Sequence, residues 1–419
     1  LRGRIHMARG ETEAATREFE EVMRSEPELA TPRYYLATAH IQAGQLGLAK
    51  RELAQAVSIA PGFDQATVLL ADLYVKTDAP RQAVTELEPL IARQPESREA
   101  YILLGRAYLA SGQSAKAVDA YGRAAALAPH DPSGPYLVGL ALRSQGNSAE
   151  AKRQFEAALR IAPRFTDPLV ELVAMALKEN QPDLARVRTE RQIALAPDTG
   201  PLYYLLGKVH QARRDWTSAE KAFRRSVELE PYLADAYVEL GRLYAASNRY
   251  EKAVAELDNA VRAHPKGLAA HMLLGALHQK VGYFGRAQKV YEEVLVIEPG
   301  FPPAAGALAL LYADHTGNLG RALQLAQAAR VAAPDDARVA HSLGWVLYKL
   351  GHYEGAVALL RESLARLPDD AELQFHLGMA ALKTGDPATA RRALTGAIRS
   401  PDLDSGAKRE AAAALQSLN

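Results

Sequence analysis

Histidine has the widest chemical range of any residue type in this chain, and eleven of them are scattered through 419 residues. His271 and His278 are seven apart, a spacing that puts two rings on one helix face. Two such ligands without a neighbouring carboxylate make a poor metal site, because zinc takes at least three protein ligands. Cysteine is absent, which excludes disulfides and thiolate metal sites. No phosphate-binding Gly-rich loop, HExxH helix or GxSxG turn occurs. Charged neighbours such as Glu251 and Lys252, or Arg391 and Arg392, read as solvated surface. The reading is a chain without catalytic residues, cofactor or metal. What does converge is aromatic: His341, Trp345 and Tyr348 lie at i, i+4 and i+7 and share one face of a helix.

The elements that carry these residues are set by a period. Prolines fall at Pro27, Pro61, Pro95, Pro129, Pro163, Pro197, Pro231, Pro265 and Pro299, each 34 residues after the last, then at Pro334 after 35 and Pro368 after 34. About midway between successive prolines lies a polar or Gly-containing break, such as Ala43-Gly44-Gln45 or Ser111-Gly112-Gln113. Each unit is therefore predicted to be two short helices with a turn between, closed by a proline that cannot continue the second.

A ladder of alanines runs in phase with the prolines: Ala15, Ala49, Ala83, Ala117, Ala151, Ala185, Ala219, Ala253, Ala287, Ala322, Ala356 and Ala390. A place that must always be small marks a close helix crossing. Twelve residues earlier stands another small residue in most units, Ala37, Gly105 and Gly241 among them, usually after a Leu. Gly inside a helix costs about 1 kcal/mol against Ala, so its repetition needs a packing reason.

The pattern Leu104-Gly105-x-x-Tyr108 with Ala117, Tyr121, Ala124 and Pro129 resembles the tetratricopeptide repeat. So does Leu240-Gly241-x-x-Tyr244 with Ala253, Leu257, Ala260 and Pro265. The resemblance covers nearly the whole chain. It implies an all-α fold, a right-handed superhelix of about twelve helix-turn-helix repeats over residues 1–402, with a capping helix over 403–419. Leu1 to His6 read as the middle of a helix, so the first repeat is expected to start truncated. Ala411, Leu415 and Leu418 are expected to cover the face that the last repeat would otherwise expose. Two units depart from the pattern. In 166–199 the small place holds Val173, while Thr189 and Gln192 replace apolar residues. In 300–334, Pro302, Pro303 and Gly306 enter the first helix, and one residue is inserted around His315-Thr316-Gly317-Asn318. Drift in a tolerant array explains both, and a hinge or partner contact is the alternative. His278 occupies the place where other repeats have Tyr, which makes it a packing residue.

In tetratricopeptide proteins the first helix of each repeat lines a concave groove, and partner proteins bind there. Carried over by phase, the groove-facing residues include Tyr34, Arg106, Tyr136, Tyr204, Lys208 and Arg242. Near the C-terminus they are His341, Trp345 and Tyr348, then Phe375 and Met379. The Lys and Asn clamp of chaperone-binding relatives has no counterpart here, nor has the Asn ladder of the glycosyltransferase arrays. The lining is apolar and aromatic with sparse Arg, which suits a helix or extended peptide with apolar anchors. The patch from His341 to Met379 is either a docking site or a surface covered by the terminal helix.

The expected function is a non-catalytic scaffold for protein partners. The alternatives are a targeting or regulatory segment of a larger enzyme such as a glycosyltransferase, and a self-assembling array. A formal net charge of +1 gives no field to draw the chain onto nucleic acid or an anionic membrane. No apolar stretch reaches the roughly 18–20 residues that span a bilayer. The Arg- and Ala-rich composition reads as bacterial. The last two repeats are similar to bacterial cell-envelope tetratricopeptide proteins, including lipoproteins linked to exopolysaccharide export and PEP-CTERM sorting, so the periplasm or envelope is the expected compartment.

Overall fold

A computed structural model describes residues 1–418; Asn419, which the sequence reading assigns to the terminal helix, lies outside the described residues. The chain is all-α. Among the described residues it forms twenty-four short helices in the order the repeat requires, followed by one more helix, Ser405–Gln416. Contacts divide it into two compact units, residues 1–215 and the chain from Trp216 onward. The first holds six pairs and the helix Gly200–Ala212. The second opens with the helix Trp216–Leu229, continues with five pairs and closes with the terminal helix.

Each first helix ends the same way. One residue in the left-handed region follows it, usually Gly, as at Gly112 (φ +72°), and otherwise Asp78, Asn180, Arg214 or Asn248. The two N–H groups around it turn back: Gly112 N–H donates to Leu109 O at 3.0 Å and Gln113 N–H to Tyr108 O at 2.8 Å. The carbonyls orphaned at a helix end are thus satisfied, and the chain reverses into the second helix.

Every member of the alanine ladder is fully buried. The glycines at the small place of the first helices, such as Gly105, Gly139 and Gly344, face a large side chain sixteen residues on. A Cβ at Gly139 would lie 2.6 Å from the Phe155 ring, and one at Gly344 would lie 2.9 Å from Leu360 Cγ. Phe155, Tyr121 and Leu360 are in turn almost completely buried. Burying such a side chain is worth about 1.5–3 kcal/mol, which outweighs the helical penalty of the glycine that makes room for it.

The two divergent repeats have physical explanations. Val173 and Thr189 stand at the small and large places, and both are buried (2% and 0% exposed). Bulk has moved from one helix to the other with the total nearly kept, the kind of swap that cores tolerate best. Thr189 Oγ1 donates to Ala185 O at 2.8 Å and Gln192 Nε2 to Pro163 O at 2.7 Å, so both polar groups are satisfied by backbone. The extra residue of the other repeat is absorbed as a π-helical turn, Tyr312–Thr316, after the helix Pro302–Leu311. Ala309 holds the small place there, and Pro302 and Pro303 sit in the first turn, where no N–H is missed.

Candidate partner-binding clefts

The first unit carries a cleft of about 990 Å³ along the helices Asp64–Lys76 and Arg98–Ala110. Tyr34 closes one end, half-buried, with its ring 5.2 Å from that of Phe63. Tyr136, three repeats later, leans on Phe165 at the same 5.2 Å. Arg106 is exposed, but its guanidinium lies 3.2 Å from the carboxylate of Asp72, the matching residue one repeat back, which also holds Lys76 at 2.6 Å. Arg93 pairs with Asp64 at 3.0 Å, and farther along the same unit Arg143 pairs with Glu171. Charges within a repeat and between successive repeats therefore neutralise one another. Tyr204 and Lys208 are half-buried.

The second unit has a larger cleft, about 1240 Å³, between the helices Leu268–Lys280, Ala337–Lys349, Ala371–Lys383 and Ser405–Gln416. Its floor is a stack of rings. Trp345 lies parallel to Tyr348 with centroids 4.6 Å apart and parallel to His376 at 3.5 Å, with Phe375 tilted at 6.3 Å. His341 Nε2 and His376 Nδ1 are 2.7 Å apart, a bond in which one ring donates and the other accepts. Burial holds both imidazoles neutral, lowering His341 to about 4 and His376 well below the ordinary value.

The π-helical turn delivers Asp314 and His315 to this cleft. Trp345 Nε1–H donates to Asp314 Oδ1 at 2.8 Å, and Lys349 Nζ sits 3.0 Å from the same oxygen and 4.8 Å from the indole centroid. His315 stacks on Phe284 at 3.4 Å. Glu372, at the mouth, has no ion pair among the described residues. Its side chain has open surface, yet the concave wall excludes much of its solvent, and desolvation, followed by Asp370 and Asp314, pushes it up to about 7.

Trp345, His341 and Phe375 are 4%, 6% and 6% exposed, so these three form floor rather than open surface; Tyr348 and Met379 are half-buried. Phe375 shares one buried cluster with Leu403 and Ala411 of the terminal segment, and Met379, Ala414 and Leu415 pack against that cluster. That contact is the covering the sequence left open as the alternative. Arg242 is exposed. The rim residues Asp314, Lys349, Glu372 and Glu410 are absent from the sequence reading, although the one-residue insertion marks where Asp314 enters. His271 and His278 are buried, and His271 Nδ1 is 2.9 Å from Gly267 O. Among the described residues no three acidic, His or Cys side chains are grouped to hold a metal ion, and no helix is long and apolar enough to cross a membrane.

A family model described as tetratricopeptide repeat matches residues 68–132, 204–267, 238–280 and 341–406, and a second with the same description matches 136–165. Together they cover more than half of the chain. A curated relative, the TPR repeat-containing protein PA4667 of Pseudomonas aeruginosa, is 34% identical over 102 residues, 24% of this chain and 17% of that protein. The match thus spans about a sixth of the relative's length. Solved structures that it resembles include the APC/C hetero-tetramer Cut9-Hcn1, at 14% identity over 100% of this chain and 95% of that one, with a TM-score of 0.49. Yeast Tom70 follows at 14% identity, over 95% and 96% of the two chains, with a TM-score of 0.45. TTC0263, a thermophilic TPR protein of Thermus thermophilus, is 23% identical over 44% of this chain and 99% of its own, with a TM-score of 0.37.

Proposed function

Because the chain belongs to the tetratricopeptide-repeat family, we propose that it is a non-catalytic scaffold that holds helices or extended segments of partner proteins in its two clefts. One observation carries this reading: both clefts are lined by first-helix residues from consecutive repeats. A segment lying along either would touch three or more repeats at once, which suits an elongated partner better than a compact substrate. In the first unit the contact residues are Tyr34, Arg106, Tyr136, Tyr204 and Lys208. In the second they are Arg242, Tyr348 and Met379, with His341, Trp345 and Phe375 as the buried floor that holds the last two in place.

The setting we propose is a bacterial envelope, in assembly, secretion or exopolysaccharide export. The Arg- and Ala-rich composition and the form of the last two repeats support it. Affinity purification from the source organism, with mass spectrometry, tests the scaffold reading. Partners retained by the natural chain and lost in both Arg106→Glu and Tyr136→Ala would place binding along the first helices of the first unit. A partner set indifferent to substitutions in either cleft would overturn groove binding. Association of the chain with itself, read by light scattering across a concentration series, would favour a structural array instead.

A further inference from the structure

Resting on that reading, we propose that the cleft of the second unit receives a basic stretch of its partner, an extended segment carrying at least two lysine or arginine side chains. Five carboxylates line it, from Asp314, Glu372, Asp402, Asp404 and Glu410, against the ammonium groups of Lys280 and Lys349. Asp314 and Lys349 are paired with each other, which leaves four carboxylates facing Lys280, with Arg409 of the terminal helix near Asp404. An acidic segment would meet uncompensated repulsion there. A purely apolar one would find little to bury, because Trp345 and Phe375 already lie under their neighbours. What remains open is charged rim and half-buried Tyr348 and Phe284.

The cleft also displays on itself how it takes a cation. Lys349 rests over the Trp345 face with its ammonium on Asp314, combining an aromatic surface with a carboxylate. Tyr348 and the unpaired Glu372 offer the same two elements to an incoming side chain. Asp404 caps the terminal helix by accepting from the Gly406 and Ala407 N–H groups through Oδ1, which fixes that carboxylate at the rim. The one insertion into the 34-residue period falls here and supplies Asp314 and His315, so the local departure from the repeat serves this cleft. At about 1240 Å³ it exceeds the roughly 300–1,000 Å³ usual for a small-molecule pocket and suits several residues of an extended chain.

The raised Glu372 agrees with this. Around it stand Asp314 and His315 of the π-helical turn, Lys349, and Asp370 and His376 of its own helix and cap. The terminal segment adds Asp402, Asp404 and Glu410. An arriving cation stabilises the Glu372 carboxylate, so binding near pH 7 should release protons.

The test is calorimetry on the full chain with three capped peptides of equal length and shared tyrosines, carrying lysines, glutamates or serines. The lysine peptide is expected to bind, weaken as salt rises, and release protons when two buffers of different ionisation heat are compared. Affinity should fall about tenfold or more in the double variant Glu372→Gln, Glu410→Gln, and rise in Lys280→Ala, which a folding defect would not mimic. Lysine-peptide binding that is absent, equal in the double variant, or matched by the glutamate peptide overturns the proposal. So does binding of spermidine without binding of the peptide. If the proposal fails while Arg106→Glu and Tyr136→Ala still release the cellular partners, the scaffold reading survives; if those releases fail as well, the scaffold reading falls on its own test.

Discussion

The two clefts occupy matching places in their repeats and treat charge in opposite ways. In the first unit, Arg106 is held by Asp72 and Arg98 by Asp131, each pair linking one repeat to the next, and the lining sets three carboxylates against two guanidinium groups. In the second, Asp314 is spent on Trp345 and Lys349, and Glu372 is left without a counter-charge. The repeat therefore fixes where a side chain points, and the identity of the facing residue one repeat away decides whether its charge is available. A wholly periodic array would offer the same groove throughout. The inserted residue in the helix before Leu319–Ala332 is what makes the second cleft different.

The largest effect that would sharpen this contrast is expected from Trp345→Ala. The indole is buried and stacks with Tyr348 and His376. Truncation should cost about 3–5 kcal/mol. In a repeat array the loss stays near its origin, so hydrogen exchange should quicken in Ala337–Lys349 and Ala371–Lys383 and not in Arg98–Ala110. Tyr34→Ala, at a half-buried ring of the first cleft, should cost distinctly less. Equal losses would mean that the second cleft is no more consolidated than the first.

Acidification should separate the units next. His341 and His376 are neutral when folded, and their lowered values mean that the unfolded chain takes up protons first. Their stabilising contribution is complete above about pH 6.5 and is lost as pH falls from there through about 4, with about 2 kcal/mol gone at pH 5 from His341 alone. Glu372 has the opposite sign. Raised to about 7, it favours the folded state at low pH and loses that contribution as pH rises through 7, which offsets part of the histidine slope. Urea unfolding followed by Trp345 emission in a Trp216→Phe background, at pH 7 and pH 5, reads the balance. A second unit more stable at pH 5 even in the Glu372→Gln variant would show that the buried pair is not neutral.

Two glycine substitutions test that the contrast ends at the clefts. Gly105→Ala and Gly378→Ala each drive a methyl into Tyr121 and Leu394, one in each unit. Both should cost about 1–3 kcal/mol by overpacking, and by similar amounts. Thermal melts that differ strongly between the two would mean that the small-residue ladder is not a shared frame.

That frame is where sequence reasoning reached furthest. The proline and alanine periods give twelve helix pairs, because a fully buried Ala and a chain-breaking Pro are both read from residue type alone. The lengthened spacing from Pro299 to Pro334 locates the insertion to within a few residues. Its form as a π-helical turn is set by hydrogen bonding that spacing does not encode. The exchange of bulk between Val173 and Thr189 looks like two unrelated departures until the two helices are seen as one interface. In the clefts, apolar character was legible and charge state was not. Arg106 reads as a free cation because its partner lies 34 residues away. His341 and Trp345 share a helix face as their spacing requires, but that face is closed by His376 and Tyr348, one of which belongs to the following repeat.

The smallest effect on stability, and the most direct probe of charge, is Asp72→Asn. The Arg106 and Lys76 side chains are 42% and 56% exposed, and an exposed ion pair is worth about 0–1 kcal/mol, so the melting temperature should hardly move. The wall around Asp72 should turn basic. Asp72 holds two cations, and its loss as a charge leaves a guanidinium and an ammonium unanswered on one wall. The variant should then bind the glutamate peptide, weakly and less as salt rises, while its response to the lysine peptide at the second cleft stays as it was. Should stability fall by more than about 1 kcal/mol, the pair is a structural tie between repeats. Should stability hold and the glutamate peptide still not bind, charge does not govern the first cleft, and the difference between the two regions rests on the aromatic floor alone.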